Sequence, residues 1–289
     1  MNDKVIQRID GVLKEIKEVL TRLDGITFKE FINTKYLMNG ISFSLLQIGE
    51  RMIKLEQLLG DKYPELPWKA ARKMRNIIVH DYENANPYTI YDTAINDLES
   101  LEHHFLIIKS DIKHIIENSL ETERLMLRPW DDMDAEELFE LAKDPEIGRW
   151  CGWEPHKKIG DTLFVLHNFL EVDETYAICL KENRRVVGSI TLMFDSELVN
   201  NKKECELGFW IGTKYQKNGY AFEASKRVIA HAFEDLRVNK IWCECFEDNI
   251  KSIGLIEKFN FIFDSSINQE CGRSIYSLTK ENWLKKVKS

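Results

Sequence analysis

Apolar positions near the start of the chain recur with helical spacing. Val5, Ile9, Val12, Leu13, Ile16, Val19 and Leu20 share one face, and charged residues occupy the other. The same period continues over about residues 28–59, 67–79 and 87–116. Residues 60–67 interrupt it with Gly60, Pro64 and Pro67, and residues 83–87 do so with a segment ending in Pro87, whose fixed φ suits the first position of a helix. Four long helical patterns joined by short breaks predict an all-α up-down bundle over residues 1–118.

Beyond Asn118 the period shortens. Residues 124–130, 176–180, 185–194, 205–211, 240–245 and 274–278 read as strands, and helical patterns at 134–143, 220–235 and 250–259 interleave with them. That order predicts an α/β fold with a central mixed sheet over residues 119–289. No Pro/Gly/Ser linker separates the halves, so the last bundle helix is expected to run into the first strand near Ser119 and Leu120.

Composition mainly excludes. A chain of 289 residues, 44% apolar and 30% charged, can build two cores and has the balance of a soluble globular protein. Asp3, Lys4, Arg8 and Asp10 do not fit a secretory signal, and no apolar run approaches the roughly 20 residues that span a bilayer. The expectation is a cytoplasmic protein without membrane association. Cys151, Cys179, Cys205, Cys243, Cys245 and Cys271 all lie in the second half and are expected as reduced thiols. No second Cys or His pair joins Cys243 and Cys245 to complete a tetrahedral site, so no metal is expected. A net charge of −8 argues against nonspecific nucleic-acid binding by the whole molecule but permits a local basic patch.

In the second half, a strand from Glu206 to Ile211 feeds a turn containing Gly219, and a helix follows. A turn that opens a helix leaves several backbone N–H groups without partners, and with the positive end of the helix dipole they suit a pyrophosphate. A single Gly in a turn is also simply a turn. The order of elements adds more: from Glu121 onward this half resembles the GNAT N-acetyltransferases, in particular the RimJ/RimL branch. Gln216, Lys217, Asn218, Gly219, Tyr220 and Ala221 match that family's pyrophosphate motif, with Lys217 where the branch often has Gly. Residues 245–253 and 255–259 match its second motif.

The resemblance implies acetyl-CoA as co-substrate and an amine acceptor, a protein (with its N-terminus a candidate) or a small molecule. It implies that backbone near Phe209, Trp210 and Ile211 holds the thioester and that residues 216–221 hold the pyrophosphate. Asn249 is then a pantetheine ligand, Ser252 the proton donor to the departing thiolate, and Glu206 the general base, directly or through water. Plainer roles compete. Asn249 can cap the next helix, Glu206 can be a strand-end carboxylate, and Trp150, Trp153, Trp210 and Trp242 can be core aromatics rather than an acceptor cleft.

In the first half, Lys69, Arg72, Lys73 and Arg75 precede His80 and Tyr82. A charge run is usually a solvated face, and a lone His is usually packed or capping. Arg and His together can also handle a phosphodiester. On a straight helix Arg75 and His80 lie roughly 140° apart, so either the helix ends near His80 or the groups meet those of a second copy. Arg75, His80 and Tyr82, with Asn76 and Asp81, resemble the mark of the HepT-like branch of the HEPN superfamily, and the likeness extends to residues 47–50 and 66–68. It implies a homodimeric, metal-independent RNase, often the toxin of a toxin–antitoxin pair. Arg75 would then stabilise the phosphate, His80 would transfer a proton, and Tyr82 would be modified by a partner nucleotidyltransferase. A domain that only dimerises the transferase, or a non-catalytic binding module, are the other readings.

Overall fold

The first apolar stripe forms α1 (Asn2–Leu23) of the computed structural model, which describes residues 2–80, 86–264 and 272–287. Val5, Ile9, Val12, Ile16 and Val19 are buried there. Contacts divide the chain into two units, Met1–Glu117 and Asn118–Ser289. In the first, α2 (Phe28–Asn33), α3 (Lys35–Leu59), α4 (Trp68–His80), α5 (Pro87–Asp92) and α6 (Leu98–Glu117) follow α1. α1 packs on α3 and α6, and α3 packs on α4, around Ile41, Met52, Leu55, Trp68 and Phe105.

The pattern over 28–59 is two helices rather than one. A capping box between Thr27 and Glu30 opens α2, and the chain breaks at Thr34, whose φ of −114° and ψ of 80° are not helical. The pattern over 87–116 carries a π turn at Thr93–Asp97 between α5 and α6. Gly49 sets how closely α3 and α4 approach: a Cβ there would stand 2.8 Å from Cβ of Arg75 and 3.1 Å from the Ala71 carbonyl oxygen.

The second unit is one mixed sheet covered on both faces. Its strands are β1 (Leu120–Glu121), β2 (Leu125–Pro129), β3 (Thr175–Leu180), β4 (Val186–Met193), β5 (Glu204–Ile211), β6 (Lys240–Phe246), β7 (Ile262–Phe263) and β8 (Arg273–Thr279), in spatial order β1-β2-β3-β4-β5-β6-β8-β7. Neighbours are antiparallel except β5 and β6, which are parallel and joined through α10 (Tyr220–Glu234). Side chains alternate between faces: Ile178 and Leu180 join a core with α10, α11 (Ile250–Lys258) and α12 (Lys280–Val287), whereas Ala177 and Cys179 join one with α7 (Ala135–Ala142) and α8 (Pro145–Cys151). Covered on both sides, β3 is buried along its whole length.

α8, α9 (Ile159–Val165) and α12 were not expected. α8 and α9 are seven-residue helices, too short for a stripe to repeat; α8 is set instead by Asp144 as N-cap, Pro145 at the first turn and left-handed Gly152 at the end. Among the described residues, no helix is long and apolar enough to cross a membrane.

Candidate active site

The central feature is where the parallel pair stops. β5 and β6 are in register from Glu204–Lys240 to Glu206–Trp242. Beyond that point β5 continues with β4 and β6 continues with β8, so the two strands part. The gap opens into a cleft of about 590 Å³ whose walls include residues 207–211 of β5, Cys243, Glu244 and Cys245 of β6, and the start of α11. Phe209, Trp210 and Ile211 line it, as do Gln216, Lys217, Gly219, Tyr220 and Ala221.

The turn ahead of α10 lines the cleft and is braced by side chains around it. Lys217 and Gly219 both have positive φ, 65° and 81°. For Lys217 that conformation costs about 1 kcal/mol or more, where a glycine would adopt it freely. Gly219 caps α10 without a side-chain hydrogen bond, and the first backbone bond of the helix runs from Glu223 N–H to Gly219 O at 3.0 Å. The backbone N–H groups of residues 217–222 meet no acceptor among the described residues. They form a donor cluster at the positive end of a fifteen-residue helix.

Several side chains brace this turn. Gln216 Nε2 donates to the Ile211 carbonyl at 3.1 Å, and Lys251 Nζ donates to Gln216 Oε1 at 3.2 Å. The Asn218 side chain donates to the Tyr215 and Gln216 carbonyls, so it shapes the turn rather than facing the cleft; only its main chain is available to a ligand. Arg124 donates to the Asn218 carbonyl at 3.0 Å and to Glu223 at 2.7 Å, with its guanidinium 4.8 Å from the Tyr220 ring centre. Glu223 also accepts from Thr122 Oγ1 at 2.6 Å. Burial raises the Glu223 carboxyl, but the bonds from Thr122 and Arg124 outweigh it and hold the group below its usual range. Arg124 and Thr122 went unnoticed in the sequence because Glu223 lies about a hundred positions away, at |i−j| = 99 from Arg124.

Asn249 is the N-cap of α11: its Oδ1 accepts from Ser252 N–H at 3.2 Å, the plainer of its two expected roles. It lines the cleft as well, together with Ser252 and Cys245. Burial pushes the Cys245 thiol up to about 11, with a smaller opposing pull from the Ser252 side chain. Glu206 sits where the strands part. Two steps along β6 from its partner Trp242, Glu244 points to the same face of the sheet. Burial raises the Glu206 carboxyl above the usual range and the charge of Glu244 adds to it, while the Ser196 side chain and, less strongly, Arg273 act the other way. Arg273 donates to Glu244 at 2.5 Å. Glu206 is not among the residues that wall the cleft; it lies at the base, where pairing ends.

Of the four tryptophans, Trp150 and Trp210 line the cleft, Trp153 packs edge-on to Trp210 at 5.7 Å, and Trp242 is buried. On the rim, Trp150 meets Phe246, and the guanidiniums of Arg149 and Arg273 lie over Trp150 and Phe246 at 4.6 Å and 5.0 Å. Among the described residues, Asp132, His167 and Glu171 have ligand atoms clustered closely enough to hold a metal, within 4.8 Å of one another. All three are exposed, and His167 already pairs with Asp132 at 2.5 Å.

The candidate residues of the first unit are not brought together. Arg75 Nε donates to Glu50 Oε1 of α3 at 2.5 Å, and its Nη1 donates to Asn76 at 3.1 Å. His80 is exposed at the end of α4 and lines a shallow groove of about 540 Å³ with Lys69, Arg72, Lys73, Asn76 and Ile77. Those positions form one stripe of the helix, and Arg75 is not on it. α4 stays helical through His80, so within one chain the angular separation expected of Arg75 and His80 holds. Tyr82 and Asp81 lie outside the described residues.

Known proteins divide along the same line. Residues 9–106 match the ribonuclease HepT-like family and residues 124–262 match the acetyltransferase (GNAT) domain. A Methanocaldococcus jannaschii protein named as a candidate RNase is 33% identical over 113 residues, covering 38% of this chain and 90% of the relative. YoaA of Bacillus subtilis, named as an uncharacterized N-acetyltransferase, is 26% identical over 155 residues, covering 52% of this chain and 86% of the relative. The fold of the second unit is shared with a GCN5-related N-acetyltransferase from Brucella melitensis, at a TM-score of 0.51 and 20% identity over 57% of this chain and 80% of that one. The chain therefore belongs to the HepT-like ribonuclease family through its first unit and is a GNAT-type N-acetyltransferase through its second.

Proposed function

We propose that the second unit transfers acetyl from acetyl-CoA to an amine, a protein or small-molecule acceptor with a protein N-terminus among the candidates. The observation that carries this reading is the set of unpartnered amides at residues 217–222, beside a cleft made by strands that part at Glu206. Acetyl-CoA supplies an activated acyl carbon on a thiol leaving group. The amides of residues 217–221 fit its diphosphate, the free edge of β5 at Phe209, Trp210 and Ile211 fits the pantetheine and thioester, and Asn249 fits the arm beside α11. Glu206 takes the proton from the acceptor amine, directly or through a water. Its raised affinity for protons brings it nearer the pH at which it works. Ser252 returns a proton to the departing thiolate, with the protonated Cys245 thiol beside it.

For the first unit, the reading is a metal-independent RNase in which Arg75 stabilises phosphate charge, His80 transfers a proton and Tyr82 is the modifiable tyrosine. Because Arg75 and His80 face apart in one chain, this reading needs a homodimer whose second copy completes the site. A toxin–antitoxin role with a nucleotidyltransferase partner, and a cytoplasmic location, go with it. The same separation favours a second reading, in which the helical unit serves only to dimerise the transferase. The domain boundary in both readings is at residue 118.

Calorimetry on the full chain tests the transferase reading. Acetyl-CoA is expected to bind, and Gly219→Trp to weaken binding by roughly 100-fold or more, because the position requires positive φ and a Cβ there would stand 3.4 Å from Arg124 Nη2, so a bulky side chain disturbs the brace of the turn. Wild-type protein without measurable binding would leave the reading without support.

A further inference from the structure

α11 runs along the cleft from one end to the other. Asn249 and Ser252 line it where the helix opens, and Lys258 lines it in the last turn. At 1.5 Å per residue, Asn249 and Lys258 stand roughly 14 Å apart along the axis. Lys251, Gly254, Leu255 and Lys258 share one face of the helix, and all four line the cleft. Gly254 leaves a gap in that face, since a Cβ added there would meet nothing within 4 Å. A glycine inside a helix costs about 1 kcal/mol relative to alanine, and packing does not ask for this one.

The far end of α11 also carries a flat aromatic surface. Phe222, in the first turn of α10, stacks on Phe259 just past α11, with ring centres 4.8 Å apart and planes inclined by 10°. Phe259 is buried, whereas Phe222 is 37% exposed and lines the cleft. One face of the Phe222 ring is fixed by the core, and the remaining surface is presented to a planar ligand. Phe222 supplies the last of the unpartnered amides as well, so a diphosphate held by that turn has this ring beside it.

Charge follows the same division. The cations of the cleft wall are Lys217, Lys251 and Lys258, and its one acid, Glu244, is already paired with Arg273. Lys217 belongs to the amide turn, and Lys251 donates to Gln216 Oε1. Lys258 is the exposed cation next to the aromatic stack. A basic residue in a last turn also suits the helix dipole, which is the plainer role for it.

From this arrangement, and resting on the transferase reading above, we infer that the Phe222–Lys258 end of the cleft is a nucleotide subsite that selects the 3′-phosphorylated adenosine of coenzyme A. The Phe222 ring stacks on the adenine, the gap at Gly254 leaves room for the ribose, and Lys258 meets the 3′-phosphate. The acyl donor is then free acetyl-CoA, since pantetheine mounted on a carrier protein has no nucleoside to stack.

Calorimetry on the full chain tests this with three donors: acetyl-CoA, acetyl-dephospho-CoA without the 3′-phosphate, and acetyl-phosphopantetheine, which ends before the adenosine. Loss of the 3′-phosphate should weaken wild-type binding by about tenfold, and loss of the nucleoside by about tenfold more. Lys258→Gln should bind acetyl-CoA about tenfold more weakly and acetyl-dephospho-CoA as the wild type does. Phe222→Leu should weaken both nucleotide donors by about tenfold and spare acetyl-phosphopantetheine. Lys217→Gln should weaken the two nucleotide donors alike and keep the gap between them. A wild type that binds the three donors equally overturns the inference and leaves the transferase reading standing. A gap between acetyl-CoA and acetyl-dephospho-CoA that persists in Lys258→Gln does the same. Lys258→Gln and Phe222→Leu proteins that weaken all three donors by one factor reflect a disturbed fold, and that outcome also overturns the inference. No binding of any donor to the wild type overturns both.

Discussion

The cleft beside Gly219 and the groove beside His80 differ in what a single chain supplies. In the transferase unit, the donor amides, their brace at Arg124 and the carboxyl at Glu206 all come from one sheet and its helices within one copy. In the helical unit, the residues that would share the chemistry sit on different faces of one helix, and one of them is already tied to Glu50. A site built on the main chain is complete once the fold forms. One built from side chains along a single helix is limited by its 100° step, and a second copy is the simplest way to bring opposite faces together.

Four experiments press on that contrast, beginning with the largest effect. Glu206→Gln should lower kcat by about 100-fold or more while leaving acetyl-CoA binding intact. In the wild type, kcat/KM should rise with pH through a carboxyl value above the ordinary range, because Glu206 works when deprotonated and burial raises its pKa. The glutamine variant should lose that rise. A wild-type profile without such a titration would remove Glu206 as the base. Mixing Glu206→Gln with Gly219→Trp protein should restore no transferase activity, since each copy holds its own whole site.

The helical unit should behave in the opposite way. Arg75→Ala and His80→Ala proteins should each fail to cleave RNA, yet a mixture refolded together should recover about a quarter of wild-type cleavage, because half the dimers then contain one intact composite site. No recovery would mean that the two groups do not meet across copies, and an RNA-inert wild type would favour the dimeriser reading. The smallest effect concerns stability. The His231 imidazole is raised above 6.5, chiefly by its hydrogen bond to Glu174 and with help from Asp235. A raised value means that its stabilisation is complete below about 6.5 and fades as pH rises through the folded value. The thermal midpoint of the transferase unit should therefore drift down over that range, and His231→Gln should flatten the drift. Equal slopes in wild type and variant would show that His231 is not the cause.

How much could be read beforehand followed the kind of interaction. The stripe from Val5 to Val19 was legible because burial on one helix face imposes a period that survives as a string of letters. Gln216 to Ala221 stood out through their match to a family's pyrophosphate motif, since Gly219 by itself signals only a turn. The break at Thr34 was hidden, since apolar residues continue on both sides of it. The parting of β5 and β6 at Glu206 has no letter of its own: it is a change of strand partner, settled only when β8 lies beside β6. Asn249 showed how two roles can share one residue, its carbonyl capping a helix while the residue lines the cleft.

The Thr122–Glu223–Arg124 cluster bears on where this protein can be cut. The stretch that matches the acetyltransferase domain starts at residue 124, but the hydroxyl that completes the hydrogen bonding of Glu223 is two positions earlier. A transferase fragment trimmed to the matched stretch would leave Glu223 short of a donor and slacken the anchor of the very turn it was made to study. The excision that respects the chemistry begins at Asn118.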